Sequence, residues 1–243
     1  MHLLIDNSNT RTKFALDQDG QLSSWRAVIP TADLSRESIE AALEGQRFTR
    51  VTLCSVVPRV ADLFERHFTL PLHQISHRSR LPITIEYPDP SKIGADRLAN
   101  ASAAVLQNKH PAIIIDFGTA VTFDVISEQS SYLGGVIAPG TASLRDYLHK
   151  KTALLPEIQL EEPKSAIGRS TEDAMQVGAV IGYRGLIREI LAAIKKELSG
   201  SPAVLATGGD AALISRGILE IDQLDPDLTM KGIQAIGNLN HPS

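Results

Sequence analysis

A single cysteine, Cys54, stands among 243 residues, which excludes an intrachain disulfide framework. It lies in the apolar run VTLCSVVP, where a buried core role is expected. The seven histidines are scattered, none beside Cys or another His at ligand spacing, so a zinc site lacks its usual donor pattern. The G-x-S-x-G of a hydrolase is missing, and so are the nucleotide-binding signatures G-x-x-x-x-G-K-[ST] and G-x-G-x-x-G. Any nucleotide site must therefore be built another way. The opening MHLLIDNSNT has neither a basic n-region nor a long apolar h-region, and no apolar run approaches the roughly 20 residues of a membrane span. A cytoplasmic location away from membranes is expected. Positive charge is not in excess: a net charge of -4 argues against a broad nucleic-acid surface.

What is present is a soluble composition, 43% hydrophobic and 21% charged, and one phrase written twice. LLIDNSNTRTKFAL near the start and IIIDFGTAVTFDVI near the middle each give three aliphatic residues, an Asp, a short polar turn and a return to apolar alternation. In register, Asp6 falls on Asp116 and Thr12 on Thr122. The interval is far longer than a solenoid repeat, so it reads as a duplicated domain. Each half is expected to open with an antiparallel hairpin and continue as α/β, with residues 1–110 forming the first domain and 111–243 the second. In the first half, SRESIEAALEG reads as a helix, RVTLCSVV as a buried strand, and LHQIS and PITIEY as further strands. A helix opens at Pro58, and SKIGADRLANASAAVLQNKH is helical with Leu98, Ala101, Val105 and Leu106 on one face. In the second half, SYLGGVIAPG is a strand with a glycine-rich turn and TASLRDYLHKKTALL a helix. PEIQLEEPKSAIGRS is a loop, TEDAMQVGAVIGYRGLIREILAAIKKEL one long helix, and AVLATGGDAALIS a strand, turn and short helix.

A polar turn after an apolar strand presents N–H groups and hydroxyls to an anion. One carboxylate at a strand end is usually a turn or cap residue, but Asp6 and Asp116 occupy equivalent places in a duplication. Paired carboxylates are how oxygen-loving cations are held, and a cation balances phosphate charge. Asn9, Thr10, Lys13 and Thr119 are then in reach of phosphates, while Gly208 and Gly209 let a flat base approach the backbone.

The two hairpins and the Gly-Gly turn resemble the phosphate-1, phosphate-2 and adenosine elements of the superfamily that unites sugar kinases, actin and heat-shock chaperones. Within it, the chain resembles type III pantothenate kinases over almost its whole length. The family's D-x-G-N-T-x-x-K appears as DNSNTRTK (residues 6–13), S-V-V-P at 55–58, and G-x-D-R as GADR (94–97). D-x-G-T-A-x-T-x-D runs over 116–124, G-G-x-I-x-P-G over 134–140 and T-x-x-A-x-x-x-G over 171–178. T-G-G-D is at 207–210, and the closing D-L-x-x-x-G at 227–232. Eight motifs in the family's order do not arise by chance.

The resemblance implies duplicated ribonuclease H-like domains of the actin-like ATPase class, and ATP-dependent phosphorylation of pantothenate, the first step toward coenzyme A. It makes Asp96 the general base, at a helix start whose dipole favours an ionised carboxylate. Asp6, Asn7, Ser8, Asn9, Thr10, Arg11, Thr12, Lys13 and Thr119 become the nucleotide-binding set. Tyr87, Gly94, Ala95, Asp96 and Arg97 become the pantothenate segment, joined by Thr171 across a homodimer interface. Arg97 suits a carboxylate substrate because its fork matches two oxygens; Thr171 also lies in STED, a good helix-capping pattern with an acid in the first turn. Asp116 becomes the ligand of a monovalent cation, potassium or ammonium, and Asp6 orients magnesium or its waters. One position departs: the family's glycine in the first turn is Ser8. If φ there is positive, a serine costs on the order of 1 kcal/mol and crowds a phosphate; its hydroxyl is alternatively a phosphate donor. Ser8 therefore keeps a second reading open, a catalytically silent relative acting as a regulatory or accessory binding protein. A third keeps the fold and changes the substrate to another small hydroxy compound, against which Tyr87 and Arg97 argue.

Overall fold

A computed structural model describes residues 1–241. Its internal contacts divide the chain into two compact units. Unit 1 comprises Met1–Asn108, Ser130–Tyr132 and the segment from Asp227 onward; unit 2 comprises Lys109–Gln129 and Leu133–Pro226. The first boundary lies within two residues of the expected seam, but the closing segment from Asp227 groups with unit 1 rather than with the second half.

Unit 1 is built on a five-stranded sheet of order β3-β2-β1-β4-β5. The strands are β1 (His2–Asn7), β2 (Arg11–Gln18), β3 (Gln21–Pro30), β4 (Arg50–Ser55) and β5 (Leu72–Gln74). β1 and β2 form the expected antiparallel hairpin, and β1 pairs in parallel with β4, giving a mixed sheet. The period of two along β1 and β2 sorts the core. Leu3, Ile5, Phe14 and Leu16 pack toward one face with α1 (Arg36–Ala42) and α2 (Pro58–His67), while Leu4, Ala15 and Cys54 pack toward the other. Ser35 caps α1 in a reciprocal box with Ser38. Cys54 is buried in the core, as VTLCSVVP suggested.

The second face of this sheet is covered by α3 (Ala95–Leu106) and α8 (Leu228–Asn240). α3 starts at Ala95, after the SKIG that the sequence pattern had included, and Leu106 is exposed rather than part of its buried face. A Cβ at Gly232 of α8 would overlap the Ala99 carbonyl of α3, so the missing side chain is what lets the two helices touch backbone to backbone. Thr229 donates to Asn100 at 2.8 Å across the same contact. At the far end, His241 Nε2 lies 2.9 Å from the Val51 carbonyl oxygen and Arg50 donates to Asn238 at 3.0 Å. These contacts draw the last helix into unit 1. A short strand β6 (Thr84–Ile85) pairs in parallel with Ser131 and Tyr132 of the same unit.

Unit 2 carries β7 (Ala112–Phe117), β8 (Ala120–Ile126), β9 (which begins at Ser131 and ends at Pro139), β10 (Ala203–Thr207) and β11 (Gln223–Leu224). The second sheet has the order β11-β10-β7-β8-β9-β6. β7 and β8 are the second hairpin, and β10 runs parallel to β7 with Thr207 opposite Asp116. Ile113, Ile115, Phe117 and Phe123 form its core with Val204 and Ala206. The helices are α4 (Thr141–Lys151), α5 (Thr171–Val177), α6 (Tyr183–Glu197) and the short α7 (Ala211–Ile214). The expected single long helix is interrupted: a π-helical turn, Gly178–Gly182, joins α5 to α6. A glycine at each end of that turn makes an altered backbone inexpensive. Among the described residues, no helix is long and apolar enough to cross a membrane.

The two hairpins differ in one respect. Asp6 pairs with Lys13, but Asp116 pairs with Thr122, so the second turn is one residue shorter. In the longer first turn, Ser8 is not among the described non-glycine residues with positive φ, which are Asp19, Asn108 and Ser130. Its amide and its hydroxyl both donate to the Arg11 carbonyl at 3.0 Å, and its own carbonyl accepts from Thr31 at 2.7 Å. The strain considered for a serine here is absent, because the side chain closes the turn. Ser8→Gly is accordingly expected to lower stability by on the order of 1 kcal/mol, through a lost hydrogen bond and a freer unfolded chain. Urea unfolding checks this; a variant more stable than the parent would restore the strain argument.

Candidate active site

In unit 1 the strand β1 delivers Asp6 to the hairpin turn with only 6% of its surface exposed. Burial pushes its carboxyl above the usual aspartate range, and Lys13, with Nζ 3.3 Å from Oδ2, pulls it back toward ionisation. The turn around it divides its residues between two tasks. Asn7 and Thr12 are buried and engaged internally: Asn7 donates to Thr12 at 2.7 Å and accepts from Ser55 at 2.6 Å, and Thr12 lies 3.1 Å from the Thr31 hydroxyl. Their side chains hold the turn closed and do not reach outward, unlike the direct ligands expected from the motif. Asn9, Thr10, Arg11 and Lys13 are exposed at the surface of the turn.

Asp96 stands in the first turn of α3. Its carboxylate accepts from the Arg97 amide at 2.8 Å. A Cβ on Gly94 would fall 2.5 Å from Asp96 Oδ1, so this glycine, with a negative φ, is required for space rather than for backbone freedom. Burial raises the Asp96 carboxyl above its ordinary value; the Arg97 amide opposes this, and the nearby Asp6 charge adds to the rise. The helix-start dipole was expected to favour the ionised form, and desolvation outweighs it. Next to it, the Arg97 guanidinium lies over the ring of Tyr132, 5.7 Å from the centroid. Tyr87 meets the same ring edge-on at 6.3 Å and 68°. Ala95 is buried under the helix start. Unit 1 therefore brings Asp6, Lys13, Asp96, Arg97 and Tyr87 into a connected set, with Tyr132 between the last two. Tyr132 was not singled out in the sequence, because a tyrosine in a strand reads as core, and this one is fully buried.

In unit 2, Asp116 is the last residue but one of β7, which ends at Phe117 before the turn of Gly118 and Thr119. Gly208 has φ +98°, and a Cβ there would lie 2.6 Å from Asp116 Oδ1 and from the Phe117 backbone, so only a glycine lets this turn pack against that carboxylate. The Asp210 amide reaches the Phe117 carbonyl at 3.3 Å. Gly140 donates to the Thr119 carbonyl at 3.2 Å, and a Cβ at Gly140 would overlap the carbonyl oxygens of Gly118 and Thr119. Thr141 donates to Asp210, joining two turns that the sequence motifs contained without assigning either side chain.

Thr171 is the first residue of α5 and is exposed; the cap itself is Ser170, which accepts from the Asp173 amide at 3.0 Å. Thr171 lines a groove of about 970 Å³ with Tyr147, Leu148, Leu155, Ile158 and Met175. The loop before it is anchored by Arg184, which is buried and makes two 2.7 Å bonds to Glu162 while also donating to the carbonyls of Leu213 and Ile214. Among the described residues there is no cluster of three or more His, Cys, Asp and Glu placed to hold a metal ion.

Comparison with known proteins bears on this arrangement. Residues 2–193 match the family model described as type III pantothenate kinase. The chain is 54% identical over 239 residues to the type III pantothenate kinase of Akkermansia muciniphila, covering 98% of this chain and 99% of the relative. It is 44% identical to that of Methylacidiphilum infernorum, covering 98% and 88%. Among solved structures, a conserved Campylobacter jejuni protein described as a candidate transcriptional activator of the Baf family aligns with TM-score 0.65 at 20% identity, covering 96% of each chain. The activator of 2-hydroxyisocaproyl-CoA dehydratase from Clostridium difficile, with bound ADPNP, aligns at 0.54 and 11% identity, covering 97% and 92%. At these identities the structural matches speak for the fold alone: the actin-like ATPase and sugar kinase class, with two mixed sheets flanked by helices. Sequence identity at this level over the full length decides the family, and this chain belongs to the type III pantothenate kinases.

Proposed function

We propose that this chain transfers the γ-phosphoryl group of ATP to the primary hydroxyl of pantothenate, giving 4'-phosphopantothenate in the cytoplasm. The observation that carries the chemistry is the half-buried Asp96 carboxylate, raised above its ordinary range and packed against Gly94. A raised carboxyl is a stronger base once ionised. As the pantothenate oxygen bonds to phosphorus, the bond to the bridging oxygen of ADP breaks and Asp96 takes the hydroxyl proton. The loose transition state of phosphoryl transfer asks little of that base, so orientation and charge balance supply most of the rate. Arg97, steadied over Tyr132, is the partner for the pantothenate carboxylate, and Tyr87 closes the same side. In unit 1 we read Asn9, Thr10, Arg11 and Lys13 as the phosphate contacts, with Asn7, Ser8 and Thr12 shaping the turn that presents them, and in unit 2 we read Thr119 as a phosphate contact.

The donor chemistry fits the cations such a reaction uses. Asp6 is a desolvated carboxylate whose charge Lys13 only partly offsets, and it would hold magnesium or its waters. Asp116, against which the Gly208 turn packs, would hold potassium or ammonium. When bound, these ions neutralise charge on the transferring phosphoryl group. We also read the functional form as a homodimer. The apolar groove containing Thr171 is lined by Leu155 and Gly168, whose chain neighbours Leu154 and Ile167 are exposed at 90% and 77%. A second copy would cover this surface and bring Thr171 to its pantothenate site. The silent-relative reading rested on Ser8, and the relaxed backbone there removes its support.

Two measurements test this. Phosphorylation of pantothenate with ATP and magnesium is expected to require potassium or ammonium, and to fall by about 10²-fold or more in Asp96→Asn. Pantothenate binding without turnover in any cation would contradict the kinase reading. Sedimentation velocity is expected to give twice the chain mass, with Thr171→Ala raising the KM for pantothenate and not that for ATP; a monomer with full activity would refute the dimer.

A further inference from the structure

Three turns of unit 2 are packed with almost no side chain between them: Gly118 and Thr119 after β7, Gly140 and Thr141 before α4, and Gly208 to Asp210 after β10. Glycines allow this, since a Cβ at Gly140 would overlap the first turn and one at Gly208 would meet the Phe117 backbone at 2.6 Å. Backbone bonds join the first turn to each of the others: Gly140 to Thr119 at 3.2 Å, and Asp210 to Phe117 at 3.3 Å. The remaining side of the triangle, between the second and third turns, is closed by side chains, with the Thr141 hydroxyl donating to Asp210 Oδ2.

This contact is not an ordinary helix cap. Asp210 precedes α7, yet its carboxylate makes no capping hydrogen bond to that helix, which is only four residues long. It reaches instead to a buried threonine 69 positions away. The nearby Tyr183 hydroxyl is directed elsewhere, donating to the Pro139 carbonyl at 3.1 Å. The carboxylate of Asp210 therefore joins the Gly208–Gly209 turn, where a base would approach, to the turn that abuts Thr119, where phosphates would lie.

We infer that Asp210, acting through Thr141, is a positioning residue that fixes the spacing between the base-side and phosphate-side turns of the nucleotide half-site. The inference rests on the kinase reading above. ATP has a fixed reach from base to γ-phosphate, so a slip of one turn against the other weakens its binding without touching pantothenate.

The test is steady-state kinetics on the full chain for Thr141→Val, Thr141→Ser, Asp210→Ala and the double variant Thr141→Val/Asp210→Ala. Titration with a fluorescent ATP analogue and thermal unfolding accompany each. Thr141→Val and Asp210→Ala are expected to raise the KM for ATP and weaken analogue binding by about tenfold, leaving the KM for pantothenate within about twofold. Thr141→Ser, which keeps the hydroxyl, is expected to behave like the parent, and the double variant to be no worse than the poorer single one. If ATP and pantothenate KM values rise together, if the serine variant is as impaired as the valine, or if the ATP KM does not move in folded variants, the positioning role is wrong. An active parent with unaffected variants sinks this inference alone; a parent that neither turns over nor binds the analogue sinks the kinase reading with it.

Discussion

Two carboxylates, Asp6 buried and Asp96 half-buried, are desolvated within Coulomb reach of each other, and the site in unit 1 is arranged around that constraint. Burying charge is unfavourable unless it is met by hydrogen bonds or by positive charge. Lys13 answers Asp6 from across the hairpin, and the Arg97 amide answers Asp96 from the next residue of its helix. Each answer needs its backbone placed accurately. The hairpin turn is therefore tied down by Asn7, Thr12, Thr31 and Ser55, and α3 is pressed onto α8 where Gly232 removes the obstacle. Gly94 is small so that the Asp96 carboxylate has somewhere to lie.

Unit 2 solves a different problem. Its site-forming segments are turns, and they approach one another closely because glycine stands at each contact. Where unit 1 concentrates charge, unit 2 concentrates backbone groups, with Asp116 and Asp210 as the carboxylates among them. The duplication thus gives two copies of one hairpin divergent tasks. The first, one residue longer, carries Lys13 opposite its aspartate; the second carries Thr122 there, and its aspartate is met by the Gly208 turn.

Much of this was readable from the chain. The repeated strand–Asp–turn phrase announced both hairpins, because alternation and turn chemistry are local properties. GADR marked a helix start correctly for the same reason. What escaped is non-local or weakly patterned. β3 is an edge strand whose residues QLSSWRAVIP lack clean alternation. α8 contains Gly232 and Gly237, which read as breakers, and their purpose lies in contacts with Ala99, His2 and Thr52 far away in sequence. The π-helical turn Gly178–Gly182, with Val180 buried, interrupts the helix without a change in the apolar period. For the site, the polar string DNSNTRTK could not say which side chains point inward, so Asn7 and Thr12 were grouped with the exposed residues. Tyr132 and Thr141 fall just outside the quoted motifs and Asp210 gave no signal beyond its own, since each matters through a partner distant in the sequence.

The account depends most on the desolvated Asp96 acting as base, and the pH dependence of kcat at saturating ATP and pantothenate tests it most directly. A carboxyl raised by burial must lose its proton before it can accept one. Turnover should therefore fall on the acid side with a midpoint above 3.8, the ordinary aspartate value, while circular dichroism still reports a folded chain. A kcat that stays level down to that value would show that no such carboxylate takes part, and would remove Asp96 from the centre of the mechanism.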